Sequence, residues 1–272
     1  MLRDITLGQY FPGNSVIHTL DPRIKLILSI LFIACVFCAS CFASFGLLAV
    51  VTVILVALSG ISPVTVLKSL KPVLFIVVFT SLINIFWTEG ELLLVSFWRI
   101  RIYYEGVRYA ALMILRILLL VCGSFVILTY TTSPVALTDA IERLTSPLQK
   151  IGLPTHEFAM MMSIALRFIP TLIEETDKIM SAQKARGADF ETGGLIKRAK
   201  ALIPILIPLF ISSFRRADEL AAAMECRLYH GGEGRTRLKV LKLRPADFLA
   251  LALFIALLCG VIFINSRFER LI

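Results

Sequence analysis

Long apolar runs separated by short polar stretches fill the first half of the chain, and one more such run returns near its end. A bilayer crossing needs roughly 20 mainly apolar residues. The first run, Ile24 to Ala43, is of that kind, with Lys25 near its start. Phe45 to Leu58 follows at once and is shorter. The two read as a tight helical hairpin, or a span plus a half-span, turning in the uncharged Cys38–Ser44 stretch. Ser59-Gly60-Ile61-Ser62-Pro63 ends the second piece, because glycine and then proline stop a helix. A third span is expected from about Pro72 to Trp87, closing on the aromatic border Phe86-Trp87 that suits a membrane interface. Thr88 to Tyr104 alternates apolar and polar residues and reads as a short hairpin or an interfacial piece. A fourth span runs from about Val107 to Tyr130. It carries Arg116, and an intramembrane arginine should face protein or water rather than lipid. Phe248 to Ile264 makes a fifth.

Between Thr132 and Pro245 the pattern becomes amphipathic. A helix is expected from Ser133-Pro134 to about Lys150, stopped by Gly152-Leu153-Pro154. A second starts near Thr155, a cap candidate, with Glu157 favouring the positive end of the dipole. It continues through Met160-Met161-Met162, kinks at Pro170, and reaches Lys184-Ala185-Arg186 before the stop at Gly187. A third follows Gly193-Gly194, holds the apolar run Ala201–Phe214 broken by Pro204 and Pro208, and ends at Arg227 before Gly231-Gly232. Phe210, Phe214, Ala217, Ala221, Met224 and Leu228 alternate spacings of four and three, one continuous apolar stripe. Ala201–Phe214 is short for a span and reads as a re-entrant or membrane-surface element. The expected fold class is an all-α polytopic membrane protein. Residues 1–131 form N-terminal transmembrane helices (about four), 132–245 form long amphipathic helices, and 246–272 form a C-terminal transmembrane helix, about five crossings in all.

Composition agrees with a membrane protein. The 272 residues are 58% hydrophobic and only 17% charged, with mean hydropathy +0.85, whereas soluble domains run near half apolar and about a quarter charged. Disorder, collagen and a disulfide-rich secreted fold are excluded, and an ordinary soluble globule lacks a core large enough for so much apolar surface. The net charge of +9 then calls for a membrane explanation first, since Lys and Arg collect on the cytoplasmic side of spans. The 132–245 block holds 17 Lys/Arg against 12 Asp/Glu. It should be cytoplasmic, with Lys68 and Lys71. The 88–105 loop, with Arg99 and Arg101 against Glu89, Glu91 and Glu105, fits the outside. Five spans with the N-terminus inside put the C-terminus outside.

Candidate chemistry is sparse. Cys35-x-x-Cys38-x-x-Cys41 lies in or at the end of an apolar run without neighbouring His, Asp or Glu, so the three read as small buried hydrophobes rather than cluster ligands. His18, His156 and His230 are scattered, and no zinc-protease, nucleophile-elbow or P-loop motif occurs, which argues against an enzyme. A self-contained transporter or channel would want ionisable groups at mid-membrane and an inverted repeat. Only Arg116 and Asn84 stand out. A nucleic-acid reading of the basic charge has no supporting fold. What remains is a pair of helices that each end in an arginine before a glycine stop. An arginine there complements the helix dipole in any case. It also presents a rigid fork that pairs bidentately with carboxylates, and small flanks such as Ala185 and Gly187 permit close approach to a partner groove.

Several ordered segments resemble one family. Leu20-Asp21-Pro22-Arg23-Ile24-Lys25-Leu26 resembles its start before the first span. Ala165-Leu166-Arg167-Phe168-Ile169-Pro170 and Ala182-Gln183-Lys184-Ala185-Arg186-Gly187 resemble its central signature, and Ala223-Met224-Glu225-Cys226-Arg227-Leu228-Tyr229 its second arginine motif. The family is the T component, the integral-membrane coupling subunit of energy-coupling factor (ECF) transporters for vitamins and metal ions. The resemblance implies a non-enzymatic subunit of a multi-pass prokaryotic cell-membrane complex, without a cofactor of its own, since ATP is bound by two partner ABC ATPases. It implies a third partner, a substrate-binding membrane S component. The 132–245 block would be the cytoplasmic coupling module. Ala185-Arg186-Gly187 would dock on one ATPase and Cys226-Arg227-Leu228 on the other. Members often carry Ala-Arg-Gly at the second tip too; here Cys226 and the bulkier Leu228 flank the arginine. A conventional ABC permease also has coupling helices, but not paired arginine tips. Met160, Met161, Met162, Leu206 and Phe210 are candidates for the face that meets the S component, equally open to being ordinary packing residues.

Overall fold

Asp21 and Pro22 open the first helix of the computed structural model, and they show how its apolar segments are started and stopped. The structure describes residues 10–88, 90, 93–97, 100–152, 154–190, 194–231 and 241–267. The Asp21 carboxylate accepts from the Arg23 backbone N–H at 2.9 Å, an N-cap, and Pro22 occupies the first turn, where its missing N–H costs nothing. Helix α1 is Pro22–Cys38. After a turn confined to Ala39–Cys41, α2 occupies Phe42–Ser59 and closes on Gly60 at φ +68. Of the two readings, the tight helical hairpin is the one found: the second piece is a full 18-residue helix, begun three residues early because Cys41 and Ser44 cap each other. A short α3 (Pro63–Ser69) meets α4 (Lys71–Trp87) at a bend of 56°. A two-stranded antiparallel hairpin, β1 (Leu93–Phe97) and β2 (Ile100–Tyr103), fills the alternating segment. Helix α5 (Tyr104–Ser124) continues into a π-helical turn, Phe125–Thr129. Then come α6 (Pro134–Thr145), a 3₁₀ stretch to Ile151, α7 (Thr155–Ala185), α8 (Leu195–Cys226) and α9 (Pro245–Arg267). Almost everything described is helical, an all-α polytopic membrane protein.

The described residues divide into two compact units: 10–140 with 241–267, and those from 141 to 231. In the first unit α1 and α9, far apart in sequence, lie side by side and parallel. At one end the buried Asp247 carboxylate accepts from the Asp21 N–H at 2.9 Å and from the Arg244 N–H at 2.7 Å, while the Arg23 guanidinium donates to the Leu241 carbonyl at 3.0 Å. At the other end the Asn265 amide donates to the Cys38 carbonyl at 2.5 Å and accepts from the Ser44 hydroxyl at 2.7 Å. Between them Phe32 and Phe254 meet edge to face. Gly123 of α5 lets that helix approach α1: a Cβ there would lie 2.1 Å from the Phe32 ring.

Two cations inside this unit, Lys25 and Arg116, are bonded to the protein's own backbone. Lys25, 1% exposed, donates from Nζ to the Thr131 carbonyl at 2.8 Å and the His18 carbonyl at 3.2 Å. Arg116 faces protein as expected, donating to the Ala39 carbonyl at 2.7 Å with its guanidinium over the Phe45 ring. Serving freed carbonyls at helix ends removes the cost of unpaired groups in an apolar medium.

Parallel packing also bears on the count of crossings. By length and composition four helices can cross a membrane, namely α2, α5 with its π turn, α7 and α9, with the bent α3–α4 pair a fifth. Helix α1, 17 residues, is stitched to α9 at both ends, so it covers the same depth. If α1 and α9 run the same way, an odd number of crossings separates them. Helices α2, α4 and α5 supply three. Helix α7 alone would make four, and its mean hydropathy, 1.2, is well below the 2.5–2.7 of α2, α5 and α9.

Candidate functional site

Helices α7 and α8 make up most of the second unit, and sequence explains why they lie open. Over 31 and 32 residues they bury, among the described side chains, only Ala159 and Ile205. They run antiparallel. Met160 and Ile164 near the start of α7 share a cavity of about 500 Å³ with Leu220, Met224, Arg227 and Leu228 at the end of α8. Midway, Glu175 and Arg216 form an ion pair at 3.0 Å. Near the far end, the Gln183 amide donates to the Pro204 carbonyl at a long 3.5 Å. That carbonyl is the one Pro208 leaves without its helical donor. Both prolines therefore sit within an unbroken helix, where breaks were expected, and Pro170 likewise lies inside α7. Thr155, expected as a cap, is instead the first helical residue after Pro154.

The two helix ends are built alike. Arg186 is the C-cap residue of α7 (φ −88, ψ 8) and Arg227 that of α8 (φ −92, ψ 13). After Arg186, the Gly187 N–H donates to the Lys184 carbonyl at 3.0 Å and the Ala188 N–H to the Gln183 carbonyl at 3.0 Å. After Arg227, the Leu228 N–H donates to the Glu225 carbonyl at 2.9 Å and the Tyr229 N–H to the Met224 carbonyl at 3.1 Å. Both are Schellman caps, which need a left-handed residue just past the end. Gly187 adopts it at φ +87. Leu228 adopts it at φ +55, the sole non-glycine residue with positive φ among those described. Both arginines are exposed, as are Ala185, Gly187, Cys226 and Leu228. Counting along α7 from Met160 to Arg186, the two arginine tips stand on the order of 40 Å apart.

The remaining candidates divide. Met160 belongs with the Arg227 end through the shared cavity, and Met161 and Met162 beside it are exposed. Leu206 and Phe210 lie on α8 nearer Gln183, so the methionines and Leu206 do not form one patch. Leu206 and Phe210 belong instead to an open apolar face with Leu202, Ile203, Ile207 and Ile211, all exposed, and Phe210 stacks on Phe214. The stripe read from the sequence is therefore solvent-facing at both phenylalanines.

Comparison with known proteins decides the family. The CbiQ family model, described as cobalt transport protein, matches residues 13–238. A curated relative from Clostridium kluyveri, named energy-coupling factor transporter transmembrane protein EcfT, is 52% identical over 260 residues, covering 95% of this chain and 96% of its own. The protein of that name from Thermosediminibacter oceani is 49% identical over 271 residues, covering 100% of both, and that from Listeria innocua is 43% identical over 263 residues, covering 97% and 98%. The chain belongs to the CbiQ/EcfT family of T components. It is accordingly a membrane subunit of a transporter.

In this T component, sequence reasoning missed two features of the second tip. One is the cavity behind Arg227. The other is Leu228 in a left-handed conformation, signalled only by its alignment with Gly187 when the two arginine segments are laid over each other.

Proposed function

We propose that this T component couples two ABC ATPases to a substrate-binding S component in uptake of a vitamin or metal ion. Arg186 docks on one ATPase and Arg227 on the other. The observation that carries this reading is the pair of exposed arginines on identically capped ends of two antiparallel helices, at opposite ends of the pair. A single partner surface would be met by adjacent tips; two tips so far apart suit two partners. The arginine fork supplies a charge-assisted pair to a carboxylate in each groove. ATP is bound by the ATPases, and their closure moves the tips relative to each other. Two long antiparallel helices transmit that motion as rigid levers. The open α8 face around Leu206 and Phe210 receives the S component, since an apolar patch of that extent marks an interface or a membrane surface. Met160–Met162 is a second candidate face, suited to repacking. With its basic excess, the 132–245 block lies on the cytoplasmic side of a prokaryotic membrane, with the N-terminus inside and the C-terminus outside.

The test is the double variant Arg186→Glu/Arg227→Glu in the co-expressed complex. The expected result is a T component that stays in the membrane but no longer co-purifies with either ATPase, and uptake at background. Undiminished ATPase association and uptake would refute the docking mechanism. The purified chain alone is expected to transport nothing.

A further inference from the structure

A second cavity, of about 230 Å³, opens in the first unit among the starts of α1 and α9, the end of α2 and the π turn. Leu28, Leu55, Ile127, Leu249 and Leu253 line it. Lys25 also borders it, but its Nζ is engaged by the His18 and Thr131 carbonyls, so the stem alone faces inward. The wall is hydrocarbon. A polar metabolite would have no hydrogen-bond partner there, and a dry occupant must be hydrocarbon as well.

Charge at this end is one-sided where it can be reached. Asp21 and Asp247 are buried, Asp247 accepting from two backbone N–H groups and Asp21 from the Arg23 N–H while pairing with the Arg23 guanidinium at 3.4 Å. Lys242 and Arg244 are exposed and lie four and two residues before Ala246, another residue of the wall. Arg23, whose charge Asp21 offsets, ties this segment to α1 through its bond to the Leu241 carbonyl. We propose that this crevice seats an acyl chain of an anionic glycerophospholipid, with the phosphate held by Lys242 and Arg244. Basic residues at helix ends beside an apolar crevice between spans are the arrangement that recognises such headgroups. The lipid would brace the α1–α9 pair at the end where Asp247 joins it, a role separate from ATPase docking.

The experiment uses the full chain in detergent, delipidated, with phosphatidylglycerol or phosphatidylcholine of identical chains added back. Native mass spectrometry counts bound lipid, and thermal unfolding reads its effect. Phosphatidylglycerol should be retained and raise the midpoint more than phosphatidylcholine. Lys242→Ala/Arg244→Ala, both exposed, should weaken phosphatidylglycerol binding about thirtyfold, to the level of phosphatidylcholine. Ala250→Phe, which fills the crevice, should abolish retention. Should that variant not fold, a phosphatidylglycerol with a diazirine in mid-chain supplies the second measurement: it should label the 20–28 and 246–254 segments of the unaltered protein. Equal effects of the two lipids, or full retention by Ala250→Phe, would overturn the proposal. So would labelling confined to α4.

Discussion

At the end of α7 the residue after the arginine is Gly187; at the end of α8 it is Leu228. The backbone bonds around the two are the same, within about 0.1 Å of one another in length. Glycine takes the left-handed cap without cost, whereas a residue with a Cβ is penalised by roughly 1–2 kcal/mol. The side chain that causes the penalty gains little in return, since Leu228 is 76% exposed. What is preserved between the tips is the direction in which each arginine leaves its helix. What differs is the surface beside it: bare backbone at Gly187, an apolar side chain above a cavity at Leu228. A strained, exposed leucine is a reason to look for function, since strain of that kind persists where something else uses it. The difference suits two non-identical ATPase grooves, one admitting close backbone approach and the other an apolar projection.

The largest effect should come from separating the tips. Arg186→Glu alone should weaken binding of one ATPase by a factor of about 30 or more, the cost of leaving a buried charge partner unpaired, and leave the other unaffected. Arg227→Glu should do the converse. Affinity measured for each ATPase separately checks this. If each single variant weakens both ATPases alike, the tips act as one site and the comparison loses its meaning.

How much of this was legible in the chain follows from the range of the interactions. The helices were legible because apolar period and Gly/Pro punctuation act over neighbouring residues, and so was the inward-facing Arg116. The arginine tips were legible as helix ends before glycines. The pairing of α1 with α9 was not, because Asp21, Asp247, Cys38 and Asn265 meet across most of the chain's length. Nor were the antiparallel course of α7 and α8 or the unbroken helix at Pro204 and Pro208. Both depend on where a partner helix lies, and hydropathy carries no record of that. Leu228 shows the limit most sharply, for leucine is the wrong residue for its backbone and no local rule would place it there.

A smaller effect tests the caps themselves. Gly187→Leu should destabilise the last turn of α7 by about 1–2 kcal/mol, and Leu228→Gly should stabilise the last turn of α8 by a similar amount. Hydrogen exchange at the Ala188 and Tyr229 amides, whose acceptors define the caps, reads both. If Leu228 also selects its ATPase, Leu228→Gly should weaken that partner alone while the cap becomes firmer. A gain in cap protection with unchanged binding would leave Leu228 a bystander.

The smallest expected effect lies between the tips, at Glu175–Arg216. The pair is partly exposed, 27% for Glu175 and 34% for Arg216, so solvent screens it, and a double-mutant cycle should give about 0.2–1 kcal/mol of coupling, falling in high salt. It contributes little to stability. Its position gives it a different significance. It is an ion pair that joins α7 to α8, and in the proposed lever mechanism motion of one tip would reach the other helix through this crossing. Glu175→Gln/Arg216→Gln should therefore leave thermal stability and ATPase binding nearly unchanged while lowering uptake per ATP hydrolysed in the reconstituted complex. If that ratio is unaffected, the levers move as separate bodies, and the two tips are coupled through the ATPases rather than through the crossing.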